Sequence, residues 1–348
     1  MAYFLYVLLI TVLINLGDKQ RNKSIMYRIF ACVAFIFFVG FRKYTVGVDS
    51  ESYQELYYLI PNENYVWIEI GFDWLVRLLD TWGCEYNAMY LACITLTALP
   101  IFFVLEYSPS YKMTSFMMYV FTLSTVCNGM RQCIAVGLFI LSTLFIQNRK
   151  ILPFIACMGG ALLFHYTSII LWPLYYVLHR TTSPKIYKMI YVISFIFIFV
   201  DPNFLIRPIV EHISFLGREY TESSLHIEQL SWLGFIYSTF INFMIFGVML
   251  KMNAFKRHTV LANCTFVALV LKNLSFNMVI MGRIIMYFGW FQYFIIPIMI
   301  CELNQSKSAK HKIMLAVISV LMIGFIHNLF SSEMHMYPYE YCFKLLMS

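Results

Sequence analysis

The chain has 348 residues, 61% of them hydrophobic and only 12% charged, with a formal net charge of +7. A soluble domain has a near-even apolar share and about a quarter charged residues, so that class is excluded and an integral membrane protein is implied. The basic excess sits in short loops between apolar runs, where it orients a chain in a bilayer, and this removes nucleic acid as a partner.

Apolar runs close to the ~20 residues that cross the hydrocarbon core begin at the N-terminus. The first two cover 2–16 and 25–41. No basic segment precedes the first and no small-residue cleavage site ends it, so it reads as a retained helix rather than a signal peptide. A long segment, 42–86, follows, and its opening "GFRKYTVGVDSESYQELYY" places Arg42 and Lys43 where the chain leaves the lipid. Asp49 comes two residues after Gly47, with Tyr53, Tyr57 and Tyr58 beyond. Aromatic faces and carboxylates are common means of holding a sugar, while an interfacial aromatic belt with a solvated aspartate has the same composition. Further on, Trp67, Ile70, Trp74, Leu75, Leu78, Leu79 and Trp82 recur at helical spacing, with Glu69, Asp73, Arg77 and Asp80 opposite. This predicts an amphipathic helix lying on the membrane surface with its three tryptophans at headgroup level.

Spans over 87–105, 113–128, 131–147 and 150–164 come next. Arg131, in "NGMRQCIAVGLF", opens the third of these, and a cation at a helix N-terminus opposes the macrodipole. A bound anion would compensate, because exposed N–H groups and a guanidinium fork both suit phosphate oxygens. Snorkelling, or pairing with a loop carboxylate, would serve as well. His165, in "LLFHYTSII", lies in a tight turn before a span over 167–179. Its imidazole suits a general base, or a hydrogen-bonded interfacial role. A span over 186–200 leads to a second long segment, 201–230, which contains Arg207 and Arg218. Spans follow over 231–250, 259–281, 283–301 and 313–330. Lys272 stands inside one of them, beside Asn273. An intramembrane lysine marks function, either lining a polar cavity or pairing with a buried carboxylate. Arg283, in "VIMGRIIMYFGW", opens the next span in a setting that matches Arg131.

Lysines and arginines concentrate in alternate loops, such as Lys19–Arg21–Lys23, Arg149–Lys150 and Lys251–Lys256–Arg257. By the positive-inside rule these loops are cytoplasmic. Segments 42–86 and 201–230, and both termini, then face outward, as an even count of about twelve spans requires. The whole of 1–348 reads as a single polytopic all-α membrane domain. Arg131 and Arg283 fall on the outward side, the wrong one for unpaired cations.

The fragments "FRKYTVGVDSESY", "EIGFDWLVRLL", "MRQCIAVGLFILS", "FHYTS", "GRIIMYFGWFQYFIIPI" and "YPYEYCF" occur in that order. Together they resemble the EpsG and Wzy-type polysaccharide polymerase family, which makes exopolysaccharide, capsule or O antigen in bacteria. The resemblance implies a GT-C-like multi-span enzyme of the cytoplasmic (inner) membrane with a large outward loop. It implies glycosyl transfer from an undecaprenyl-diphosphate-linked glycan to another lipid-linked unit, with no cofactor. No carboxylate cluster with metal spacing occurs in the outward loops, which fits a metal-independent reaction. On this reading Arg131 and Arg283 stabilise the leaving diphosphate, with Arg42 or Arg218 as further ligands. Lys272, Tyr53 and Glu69 complete the substrate-binding set. His165 and Asp49 are the candidate bases, His165 preferred for proton transfer and Asp49 for orienting sugar hydroxyls. The implied partners are the donor and acceptor glycolipids and membrane lipid, with a chain-length regulator and a flippase as further candidates. The rival readings are an O-antigen ligase-like transferase using the same donor, a lipid-linked oligosaccharide flippase and, more distantly, a membrane acyltransferase. A flippase is often built from internal repeats, and none is evident here.

Overall fold

A computed structural model of the chain describes residues 1–19, 24–62, 68–196, 232–274, 279–331 and 334–346. In its first half the helices are α1 (Ala2–Lys19), α2 (Ser24–Gly40), α3 (Ser50–Leu59), α4 (Ile70–Thr81), α5 (Tyr86–Glu106), α6 (Tyr111–Phe121), α7 (Leu123–Asn128), α8 (Met130–Gln147) and α9 (Ile151–Phe164). A 3-10 helix over Tyr166–Leu171 leads to α10 (Leu174–Val177), α11 (Pro184–Ile196), α12 (Trp232–Lys251) and α13 (Ala254–Arg257). The rest are α14 (Thr259–Leu274), α15 (Val279–Gly289), α16 (Gln292–Glu302) and α17 (Lys307–Phe330). Among the described residues there is no strand, and Arg42–Tyr341 and Cys84–Leu346 form isolated antiparallel bridges. Among the described residues, four runs are long and apolar enough to cross a membrane: Tyr86–Glu106, Met130–Gln147, Gly282–Glu302 and Lys307–Phe330. Shorter apolar helices, among them Ala2–Gly17 and Thr259–Leu274, accompany them. The chain is a membrane-embedded, all-helical protein.

Three expected spans are broken, each for a local reason. The run 113–128 divides into α6 and α7 at Thr122, whose hydroxyl donates 2.5 Å back to Met118 O, a bond that bends helices. The run 167–179 is a 3-10 helix and a single turn rather than one helix. Pro173, which cannot donate a backbone hydrogen bond, separates the two. The run 283–301 breaks at Trp290 and Phe291, just after Gly289, where tight three-residue bonds such as Phe291 N–H to Phe288 O at 3.2 Å replace the α-helical pattern.

The described residues fall into two compact units. The first comprises 1–145, 152–172 and 300–348. Within it α1 packs on α2 and α6, α2 on α5 and α7, and α17 on α6. The segment between α2 and α5 folds back as α3 and α4 against α5. Tyr53, Tyr57, Phe72, Val76, Tyr90 and Ile134 form the centre of that packing. Relative to exposure in water, burying each such side chain contributes roughly 1.5–3 kcal/mol. The face that packs α4 onto the rest of the unit is Phe72, Val76 and Leu79, all buried. Trp74 and Trp82 lie outward, 65% and 64% exposed, and Trp67 is outside the described residues. The Asp73–Arg77 pair remains on the open side as expected, at 3.1 Å.

The second unit comprises 146–151 and 173–299. Here α11, α12 and α15 pack on α14. Because lipid offers helices no hydrophobic drive to associate, polar ties matter. Tyr187 stacks on Phe255 at 3.8 Å and donates 2.7 Å to Asn263 Oδ1, and Asn263 Nδ2 donates 2.8 Å to Leu178 O and Arg180 O. Asn273 likewise donates 2.9 Å to Ser194 Oγ.

After α17, residues 334–346 return as a strap across the first unit. Lys43 N–H donates to Glu340 O, Cys342 N–H to Phe41 O, Gly47 N–H to His335 O and Glu85 N–H to Leu345 O, all at 2.8–2.9 Å. Side chains reinforce the strap through Lys43–Glu340 at 2.8 Å and Lys344–Glu85 at 2.6 Å. Hydrogen bonds from Lys43 and Lys344 hold the Glu340 and Glu85 carboxyls below their ordinary 4.5. A depressed carboxyl contributes stability that is present above 4.5 and is lost as pH falls through the lowered values. Hydrogen exchange at Cys342 N–H, corrected for its intrinsic rate, should therefore speed up between neutral pH and about pH 3.5. Unchanged protection over that range would show that the ion pairs do not hold the strap.

Candidate functional site

Glu69 immediately precedes α4 in extended backbone (φ −62°, ψ 134°). Its carbonyl accepts from Phe72 N–H and Asp73 N–H at 3.0 Å. A carboxylate here would ordinarily cap the N–H groups of its own helix, yet this side chain makes no such bond. Its two oxygens are used elsewhere. Oε2 pairs with Arg131 Nη1, and Oε1 lies 3.1 Å from His165 Nδ1. The side chains of Glu69, His165 and Arg131 are only 7%, 10% and 12% exposed. The expectation that Glu69 lies on the open face beside Asp73 is thus corrected. One acidic residue leaves the helix face because the backbone has not yet turned helical at that position.

A close approach of two helices makes this bridge possible. A Cβ on Gly71 would lie 2.8 Å from Leu163 O and 2.9 Å from Leu163 Cβ. Only glycine lets the start of α4 rest on the last turn of α9, and His165 follows that turn directly, its N–H donating 2.9 Å to Ala161 O. Gly71→Val should push the two apart and lengthen the Glu69–His165 contact. Activity should then fall at least tenfold, while Gly159→Ala, a control at a helical glycine in α9 with open space around it, should have a smaller effect. Equal activities for the two variants would show that this approach does not position the site.

The electrostatics follow from the geometry. Burial raises the Glu69 carboxyl, but the hydrogen bond to His165 and the charge of Arg131 outweigh it and hold the group below its ordinary value. It is an anion at neutral pH. A carboxylate accepts, so His165 Nδ1–H is the donor and Nε2 is the basic nitrogen of the ring. Arg131 is also held by aromatic faces, its guanidinium carbon 5.7 Å from the Tyr53 ring centre and 5.5 Å from that of Phe72. Its Nε is buried with no hydrogen-bond partner.

The other candidates have separate surroundings. Arg42 is fully buried. It donates 2.8 Å to Val39 O at the end of α2, 3.0 Å to Cys127 O at the end of α7, and 3.3 Å to Val46 O and Ser50 Oγ, over the Tyr90 ring at 4.3 Å. It caps two helix C-termini, the end of the dipole that favours a cation. Beside it Gly47 takes φ +101°, and a Cβ there would meet Cys127 O at 2.8 Å. Asp49 precedes α3, exposed, with no side-chain cap bond. Tyr53 is buried under Arg131.

Lys272 and Arg283 belong to the second unit. Lys272 is partly buried in α14, while Arg283 is exposed and lies five residues into α15 rather than at its start, because Val279–Met281 contains no helix breaker. The expected likeness between Arg131 and Arg283 therefore does not hold at the level of helix position. Arg218 and segment 201–230 lie outside the described residues. The first unit thus brings together Glu69, Arg131, His165 and Tyr53. The Glu69–His165 contact went unrecognised in the sequence, although an acid inside the apolar "VWIEIGF", two residues before a glycine, was its signal.

No curated protein and no solved structure matches the chain significantly. The model of the EpsG family matches residues 25–341, a stretch that includes every candidate residue named above. The chain therefore belongs to the EpsG family, a Wzy-type polymerase-like family.

Proposed function

We propose that the protein is a polysaccharide polymerase that joins undecaprenyl-diphosphate-linked oligosaccharide units at the outer face of the bacterial cytoplasmic membrane. Family membership supports a polymerase-type role. The observation that carries the site is Glu69, which holds a histidine on one oxygen and an arginine on the other. That set contains a base and an anion ligand side by side. In this reading the fold is GT-C-like with about twelve spans, and the end carrying α3, α4 and the strap faces outward, as the charge pattern of the loops suggests.

The acceptor hydroxyl gives its proton to His165 Nε2 while its oxygen forms a bond to the anomeric carbon of the donor. The anomeric C–O bond breaks, and its electron pair leaves with the lipid diphosphate. Stabilising that charge is the main electrostatic task, and Arg131 meets it. Asp49 orients sugar hydroxyls in this proposal. Arg42 acts behind it by holding the loop that carries Asp49.

The test is surface polysaccharide from a deletion strain carrying wild-type or variant protein, with membrane levels matched. Wild type should restore a ladder of chain lengths on undecaprenyl diphosphate, whereas Arg131→Ala and His165→Gln should leave single repeat units. Normal ladders from both variants would refute the site.

A further inference from the structure

We propose that Glu69 occupies the anion site of Arg131 in the resting protein and is displaced by the lipid diphosphate, and that the released carboxylate then serves His165 alone. This rests on the reading of Arg131 as a diphosphate ligand and deepens it.

Three observations support the exchange. First, a single carboxylate serves both partners, with Oε2 on Arg131 Nη1 and Oε1 on His165 Nδ1. A diphosphate that takes the guanidinium leaves Glu69 attached to the imidazole, so no new contact has to form on that side. Second, Arg131 has capacity left over. Its Nε is buried without a partner, and the fork of five N–H donors suits an anion with more oxygens than one carboxylate can offer. The Tyr53 and Phe72 rings hold the guanidinium in place while its anion changes.

Third, the exchange keeps each cation paired with an anion. At rest Glu69 and Arg131 pair as anion and cation, and in this proposal the imidazole enters the reaction neutral. When the diphosphate is on Arg131, Glu69 is an anion beside a neutral base. Proton transfer from the acceptor hydroxyl to Nε2 then leaves the imidazolium paired with Glu69, while Arg131 offsets one of the negative charges on the departing diphosphate. The groups facing this exchange are Glu69 before α4, Arg131 on α8, His165 after α9 and Tyr53 on α3, with Asp49 acting on Tyr53 from the start of α3. Arrival of the donor would thus strengthen the base at the moment it is needed.

Competition has a sign that a purely structural role lacks. The experiment measures binding of undecaprenyl diphosphate to the purified full chain in nanodiscs. Glu69→Gln keeps the size and a hydrogen bond to His165 but removes the competing charge. It should bind on the order of tenfold tighter than wild type while turning over more slowly. Arg131→Gln should bind at least tenfold more weakly, and His165→Gln within about twofold of wild type. In the wild type, carbodiimide labelling of Glu69, read by mass spectrometry, should rise when the diphosphate is added. That measurement stands even if Glu69→Gln does not fold. If Arg131→Gln weakens binding but Glu69→Gln does not tighten it and labelling does not rise, the exchange is overturned while Arg131 remains a ligand. If Arg131→Gln leaves binding unchanged, the diphosphate reading fails and the exchange fails with it.

Discussion

Replacing His165 by Gln is expected to slow chain extension by about 10²–10⁴-fold, the usual contribution of a positioned general base. Glutamine can still reach the Glu69 carboxylate with an N–H, so the local fold and Arg131 are preserved, but it offers no basic nitrogen at the position of Nε2. The loss should therefore appear in kcat, with KM for the donor within a few-fold of wild type. The measurement is extension of a lipid-linked acceptor by purified protein in nanodiscs, with thermal midpoints compared to confirm folding. A rate within tenfold of wild type would remove His165 as the base and pass that role to Asp49, the exposed carboxylate before α3. Asp49→Asn should have the smaller effect, since orienting a hydroxyl contributes less than accepting its proton.

The second large effect is on stability. Arg42→Gln is expected to destabilise the first unit by about 3–5 kcal/mol, because Val39 O, Val46 O and Cys127 O all lose a charged donor inside the protein. Tyr90 also loses the cation above its ring. Arg42→Lys keeps the charge but cannot reach two helix ends and the loop with one point donor, so it should recover less than half of the loss. Protein level in membranes and the thermal midpoint in detergent test this directly. If Arg42→Gln accumulated normally with an unchanged midpoint yet made no polymer, Arg42 would instead be a substrate ligand.

These two residues show where the sequence was legible and where it was not. Membrane character and all-helical class follow from composition alone, because apolar runs near membrane thickness leave the backbone little alternative to helix. His165 was visible because a titratable ring at a turn between apolar runs stands out. Arg42 was visible as an oddity, but its role was not. A cation at a membrane exit looks the same whether its donors meet phosphate oxygens or the carbonyls of two helix ends, and one of those ends, α7, is 85 residues away in sequence. Three of the expected spans broke where a hydroxyl, a proline or a glycine interrupts the helical hydrogen bonds, features too local for a hydropathy pattern to register.

Glu69 marks the same boundary more sharply. Helical spacing placed it on the polar side of an amphipathic helix with Asp73 and Arg77. That rule describes Asp73 and Arg77, which form their i,i+4 pair in α4. It does not describe Glu69, which stands one residue before the helix and so is not bound by its period. Its partners come from α8 and from the end of α9, 62 and 96 residues onward. The sequence by itself determined a membrane protein made of helices, with unusual charges at their ends. Only the tertiary structure decided which of those charges neutralise each other, since that depends on the approach of α4 to α9 at Gly71, and periodicity along one helix holds no information about the distance to another.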